Sequence, residues 1–133
     1  DLGVAIQLTN ILRDVGGDAV DLNRVYLPLE DLRSTGAQLD DVLVGRLTPE
    51  YVQTVELQVA RARELYASAR LAVPDLPKSS RLVVYAIIEL LEAIVDELEK
   101  RGGDSLTRKL KPSTPAVLGA LVRAVRQSYG GGG

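Results

Sequence analysis

Apolar positions recur at helical spacing along most of the chain, and nowhere do they alternate for long as a strand would require. Residues 2–17 are rich in Val, Ile, Leu and Ala until Gly16-Gly17, which predicts a first helix over that span. A connection over residues 19–27 leads to Pro28. Leu29 to Arg33 then reads as a short helix ended by Gly36, and Asp40 to Val44 as a second that stops near Gly45. Thr48-Pro49-Glu50 supplies an N-cap followed by proline at the first helical position. The long helix it opens runs to about Leu71, with Val52, Val55, Val59, Ala62, Leu65 and Ala69 at helical spacing. Pro74 and Pro77 break it. Ser79 or Ser80 is placed to cap the next helix, which runs to Arg101 and meets Gly102-Gly103 as its stop. A last helix covers residues 114–128, with Pro115 at its start. The pattern predicts one all-α helical domain over residues 1–129, followed by a glycine tail at 130–133 that is expected to be disordered.

Composition narrows the chemistry. Hydrophobic residues make up 46% of 133 residues, yet the only aromatics are five Tyr, so Leu, Val, Ile and Ala must build the core. There is no Cys and no His. That excludes disulfide scaffolds, zinc fingers, Cys nucleophiles, Ser-His-Asp triads and His-ligated metals. Carboxylates, amides, Tyr, Lys and Arg remain, which are ligands for hard cations and partners for phosphate. The net charge of -2 gives no general attraction to nucleic acid. No run approaches the roughly 20 apolar residues of a membrane span, and no signal peptide is visible. The chain reads as cytoplasmic, able to touch a membrane only peripherally. It has no Met and opens within a helical pattern, so it is expected to be part of a longer protein.

The first helix carries the candidate chemistry. At about 100° per residue, Gln7, Asn10, Asp14 and Asp18 fall within a stripe of roughly 80°. Val4, Ile6, Leu8, Ile11, Leu12 and Val15 fill the neighbouring directions. A buried helix with two carboxylates on one face must offer them a cation, because isolated buried charges are costly. Two Asp one turn apart, extended by Asn10, can hold Mg²⁺ and leave positions for phosphate oxygens. A surface helix end with both Asp in water explains the same periodicity equally well.

The run Gln7-Leu8-Thr9-Asn10-Ile11-Leu12-Arg13-Asp14-Val15-Gly16-Gly17-Asp18, with Arg24-Val25-Tyr26-Leu27-Pro28 after it, resembles the second aspartate-rich motif of the squalene/phytoene synthase family. Arg61-Ala62-Arg63-Glu64-Leu65-Tyr66 and Ser80-Arg81 are further similarities, and weaker ones continue to Arg108. The resemblance implies the C-terminal portion of the isoprenoid synthase fold. It implies that Asn10, Asp14 and Asp18 bind Mg²⁺-diphosphate, with Mn²⁺ able to substitute, and that Asp14 and Asp18 are catalytic. Gln7, Arg13, Arg24, Tyr26 and Arg108 would contact the prenyl diphosphate or shape its pocket. Family members join two prenyl diphosphates, such as geranylgeranyl diphosphate, and the wording of the motif leans to phytoene-type over squalene-type output. NADPH would enter only in the squalene case.

Departures from the family pattern temper what the resemblance implies. The family pairs two aspartate-rich motifs on facing helices, and only one stands in this sequence. The chain alone is therefore expected to bind without synthase turnover, its natural partners being the missing N-terminal helices of the same enzyme. Gly17 stands where the family usually has Glu, and the segment from Asp18 to Arg24 is one residue longer. Leu91-Glu92 replaces a common Tyr-Arg pair, and Gly103 and Leu106 fall where Tyr and Phe are frequent. Loss of those rings would weaken cation-π support of a carbocation by about 1–2 kcal/mol per face.

Other features carry ordinary explanations. Glu89, Glu92, Asp96 and Glu99 share one face and read as a solvated stripe more readily than as a second metal site. Arg61, Arg63 and Arg70 are expected to pair locally with Glu56 and Glu64 or to be solvated. Tyr66 and Tyr85 read as packing residues, and Arg108-Lys109-Leu110-Lys111 as a solvated loop able to meet phosphate or an anionic membrane. Two further functions fit the same sequence: a non-catalytic helical interaction module, and a prenyl-chain carrier indifferent to Mg²⁺.

Overall fold

The computed structural model describes residues 2–21, 28–104, 106 and 111–130, without the side chains of 15–21 and 29. Among these residues all regular structure is helical. Helix α1 spans Leu2–Asp21, α2 Leu29–Thr35, α3 Leu39–Leu43 and α4 Pro49–Ala72. A 3₁₀ turn over Val73–Asp75 leads to α5, Lys78–Lys100, and α6 covers Thr114–Gly130.

Most helix ends follow local chemistry. Thr48 Oγ1 accepts a hydrogen bond from the Tyr51 amide at 3.1 Å, so the predicted cap of α4 is present, with Pro49 at the first turn. At the end of α5, Gly102 and Gly103 adopt φ of 65° and 83°. Their amides donate to the Glu99 and Leu98 carbonyls at 3.0 and 2.9 Å, closing the last turn. A Cβ on Gly103 would also meet Val52 Cγ1 at 3.4 Å. Glycine is needed there for conformation and for the close approach of α4.

Three boundaries differ from expectation. α1 passes through Gly16-Gly17 and continues to Asp21. Glycine in a helix interior costs only about 1 kcal/mol relative to Ala, and no proline intervenes before Pro28 to interrupt the hydrogen-bond ladder. α5 starts at Lys78, immediately after Pro77, so Ser79 and Ser80 lie within its first turn and cap nothing. Arg81 instead reaches back, donating to the Leu76 and Pro74 carbonyls at 2.9 and 2.6 Å. Gly130 is the last residue of α6, and the rest of the expected tail, 131–133, lies outside the described residues.

The core is organised around α4. α1, α2 and α5 pack against it, and α6 packs on α5. The buried residues of α4 are Tyr51, Thr54, Val55, Gln58, Val59, Ala62 and Tyr66. Tyr51, Val55, Val59, Ala62 and Tyr66 among them join Ala5 and Leu12 of α1, Leu32 of α2 and Ile88, Val95 and Leu98 of α5 in one cluster. Tyr66 and Tyr85 are packing residues, as the sequence leads one to expect.

The arginines of α4 tie this arrangement together across helices, which corrects the expectation of local pairing and solvation. Arg61 grips Asp31 of α2 through two bonds of 2.6 and 3.1 Å, and Gln58 donates to the same carboxylate. Arg63 reaches Asp96 at 2.9 Å and Glu99 at 3.0 Å on α5. Arg70 bonds both oxygens of Glu92 at 2.8 and 2.7 Å and Glu89 at 2.5 Å. The acidic face of α5 is thus only half solvated. Asp96 and Glu99 are exposed, but Glu89 is buried and Glu92 nearly so, because α4 and α6 land on them.

Two of these buried carboxylates give folding a definite pH dependence. Hydrogen bonding from Arg61 holds Asp31 below its ordinary value of 3.8. Burial pushes Glu89 up, but Arg123, Gln127 and Arg70 more than offset it and hold it below 4.5. Both groups ionise more readily folded than unfolded, so their contribution is present above those ordinary values and lost as pH falls through the folded ones. Urea midpoints should therefore be flat above about pH 5 and drop below about pH 4. Asp31→Asn should blunt that acid drop; an unchanged acid limb would refute the assignment.

Candidate functional site

α1 presents two opposed faces. Ala5, Thr9 and Leu12 are buried, at 0%, 0% and 1% exposure, and face the bundle. Gln7, Asn10 and Asp14 lie about 140–180° around the helix from Ala5. Gln7 is exposed, and Asn10 and Asp14 are partly exposed. The predicted strip therefore exists as a strip, and it is turned away from the chain's own core. That removes the premise of a helix buried all round, since Val4 is 57% exposed beside it.

The contents of the strip are defined at three positions. Asp14 accepts two hydrogen bonds from Arg13, at 2.9 Å from Nε and 3.1 Å from Nη2. The carboxylate raises the Arg13 pKa, chiefly through that hydrogen bond. Asn10 stands one turn before Asp14 on the same side. Asp18 continues the helix backbone one turn later, but its side chain lies outside the described residues. So do Arg24, Tyr26 and Arg108. Gln7, Asn10, Arg13 and Asp14 are thus gathered on one helix.

Asn10 and Asp14 offer donor atoms of the kind a hard cation takes. An amide oxygen and a carboxylate one turn apart are oxygen donors, and they leave most coordination positions open to phosphate and water. No group of three or more His, Cys, Asp or Glu side chains that could hold a metal occurs among the described residues. A metal on Asn10 and Asp14 would therefore need Asp18 or a bound anion to complete its shell. A groove of about 430 Å³ between α4 and the end of α5, lined by Val52, Val59, Leu98 and Gly103, contains none of the predicted site residues.

What holds the strip in place escaped sequence reasoning. Thr9 donates to the Ala5 carbonyl at 2.8 Å, and its hydroxyl is also hydrogen-bonded to the buried Tyr66 hydroxyl from α4. Burial pushes the Tyr66 phenol up, more than the bond to Thr9 lowers it, so it stays a neutral donor. The available signal was the spacing Ala5, Thr9, Leu12, a narrow face of small or apolar residues between the bulkier ones.

Comparison with known proteins places this helix in context. The squalene/phytoene synthase family model matches residues 1–117. The chain is similar to phytoene synthase 1, chloroplastic, of Solanum lycopersicum, at 39% identity over 127 residues, 96% of this chain and 31% of that protein. It is similar to phytoene synthase 3, chloroplastic, of Zea mays, at 40% identity over 127 residues, 96% of this chain and 30% of that protein. Phytoene synthase, chloroplastic, of Narcissus pseudonarcissus is 38% identical over 127 residues, again 96% of this chain and 30% of that protein. The chain spans about a third of the length of the curated relatives it matches. With a family match over nearly its whole length and an oxygen-ligand strip on the motif helix, the chain belongs to the squalene/phytoene synthase family.

Proposed function

We propose that this chain is the diphosphate-binding part of a prenyltransferase that joins two prenyl diphosphates in carotenoid biosynthesis. The observation that carries the reading is the placement of Asn10 and Asp14 on one face of α1, turned away from the chain's own core. Asp14, Asn10 and, by family likeness, Asp18 would hold Mg²⁺. Bound there, the cation would neutralise the leaving diphosphate as its C–O bond ionises. Arg13, paired with the Asp14 carboxylate at 2.9 Å, would offer a planar fork suited to a phosphate oxygen pair. Gln7 supplies a neutral donor beside the anion. Arg24, Tyr26 and Arg108 take up diphosphate contact and pocket shape by the same likeness. The similarity to phytoene synthases favours phytoene-type output, which needs no NADPH. One carboxylate strip supports binding of one diphosphate, so this polypeptide binds without turning over.

Titration calorimetry with inorganic diphosphate tests this directly. Binding should require Mg²⁺, vanish with chelator, and weaken roughly tenfold or more in Asp14→Asn. Gln7→Ala should have a smaller effect. Affinity unchanged in Asp14→Asn would sink the reading, and prenyl-chain binding indifferent to Mg²⁺ would replace it with a carrier.

A further inference from the structure

The groove between α4 and the end of α5 holds none of the diphosphate residues, yet it has the build of a binding site. Its volume of about 430 Å³ is that of a ligand cleft, and Val52, Val55, Val59 and Leu98 give it an apolar floor. Its α4 wall runs from Val52 to Arg63, three turns or about 16 Å. At the other side Gly102 and Gly103 turn the chain at φ of 65° and 83°, and neither brings a side chain into the space. Ala60 is exposed at the rim, so a small residue guards the opening. An apolar trough of this length, open to solvent, accepts the apolar face of another helix.

The rim selects the charge of that helix. Glu56 is exposed and meets no cation among the described residues. Arg63 also lines the groove, but two carboxylates already hold it, Asp96 at 2.9 Å and Glu99 at 3.0 Å. Three carboxylates thus stand against one guanidinium. Lys100 is exposed but does not line the groove, and Arg101 is held by Glu97 at 3.2 Å. The carboxyl end of α5 adds the negative end of its dipole beside Gly102 and Gly103. Such a rim repels nucleic acid and anionic lipid, and it favours lysine or arginine flanking an apolar anchor. Among the described residues no helix is long and apolar enough to cross a membrane.

We infer that this groove docks a basic amphipathic helix of a partner protein. Apolar side chains one turn apart lie over Val52, Val59 and Leu98, and basic ones stand beside Glu56 and Glu99. The inference goes beyond the diphosphate reading and is independent of it, since the groove shares no residue with that site.

Fluorescence anisotropy of the full chain with two synthetic helical peptides tests it. Both carry leucines at one-turn spacing; lysines flank them in one peptide and glutamates in the other. The lysine peptide should bind at low salt and lose affinity as salt rises. The glutamate peptide should bind more weakly by about tenfold or more. Glu56→Gln/Glu99→Gln should weaken the lysine peptide about fivefold. Ala60→Trp lays an indole over the opening from an exposed position and should remove measurable binding, with circular dichroism and urea midpoints unchanged. Binding of neither peptide, equal binding of both, or undiminished binding to Ala60→Trp would each overturn the inference. So would a dimer in sedimentation that Ala60→Trp dissolves, because the occupant would then be a second copy of this chain.

Discussion

Glu89→Ala should destabilise the chain by about 3 kcal/mol, at the low end of what breaking a buried ion pair costs. Glu89 is 4% exposed, and its two oxygens tie α5 to two other helices. One accepts from Arg70 of α4 and Gln127 of α6, both at 2.5 Å; the other accepts from Arg123 of α6 at 2.7 Å. Gln127 in turn accepts from Arg70 at 3.2 Å, closing a ring of bonds. Removing the carboxylate leaves Arg70 with Glu92 and leaves Arg123, whose side chain is 51% exposed, free to reach water. That escape is why the low end of the range applies. The loss should fall most heavily on α6, whose buried apolar residues are two alanines. Urea unfolding followed by far-ultraviolet circular dichroism measures it. Because the groups share one network, Glu89→Ala/Arg123→Ala should cost little more than Glu89→Ala alone. A single-variant loss below about 1 kcal/mol would show that α6 is held by something else.

The same network marks where sequence reasoning stops. Periodicity correctly puts Glu89, Glu92, Asp96 and Glu99 on one face of α5, because spacing along a helix is a local property. Which of them meets water depends on where α4 and α6 come to rest, and the partners of Glu89 stand 19 to 38 residues away. The arginines of α4 misled for the same reason: carboxylates stood at plausible distances within the helix, while the observed partners lie on α2 and α5. Helix ends were legible where a local device makes them, as at Thr48-Pro49 and Gly102-Gly103. Gly16-Gly17 shows the reverse, since glycine stops a helix only where the chain takes a left-handed turn, and here it continues. In the candidate site, the identity of the strip was legible because Gln7, Asn10 and Asp14 recur at helical spacing. The side of α1 that turns inward was not, because it is decided by a tyrosine on another helix.

Tyr66→Ala should cost about 4 kcal/mol, and Tyr66→Phe only about 1 kcal/mol. Tyr66 is fully buried, and its ring fills the space between α4 and α1. Truncation to alanine removes that apolar contact and leaves a cavity beside Ala5 and Thr9. Phenylalanine keeps the ring and removes one hydroxyl. Thr9 still donates to the Ala5 carbonyl at 2.8 Å in that variant, so no buried donor is stranded and the loss is confined to the Tyr66 hydroxyl's bond with Thr9 and its long one, 3.4 Å, to the Ala5 carbonyl. Urea unfolding separates the two, and a gap between them smaller than about 1 kcal/mol would show that the ring does not anchor α1. The comparison also reaches the proposed chemistry. Asn10 and Asp14 face away from the core, so their position in space rests on the face of α1 opposite them, where Thr9 meets Tyr66. Tyr66→Phe should therefore leave Mg²⁺-dependent diphosphate binding close to that of the wild type. Tyr66→Ala should weaken that binding even where circular dichroism shows the helices still formed, because a loosened α1 no longer holds its ligands in a fixed position relative to the bundle.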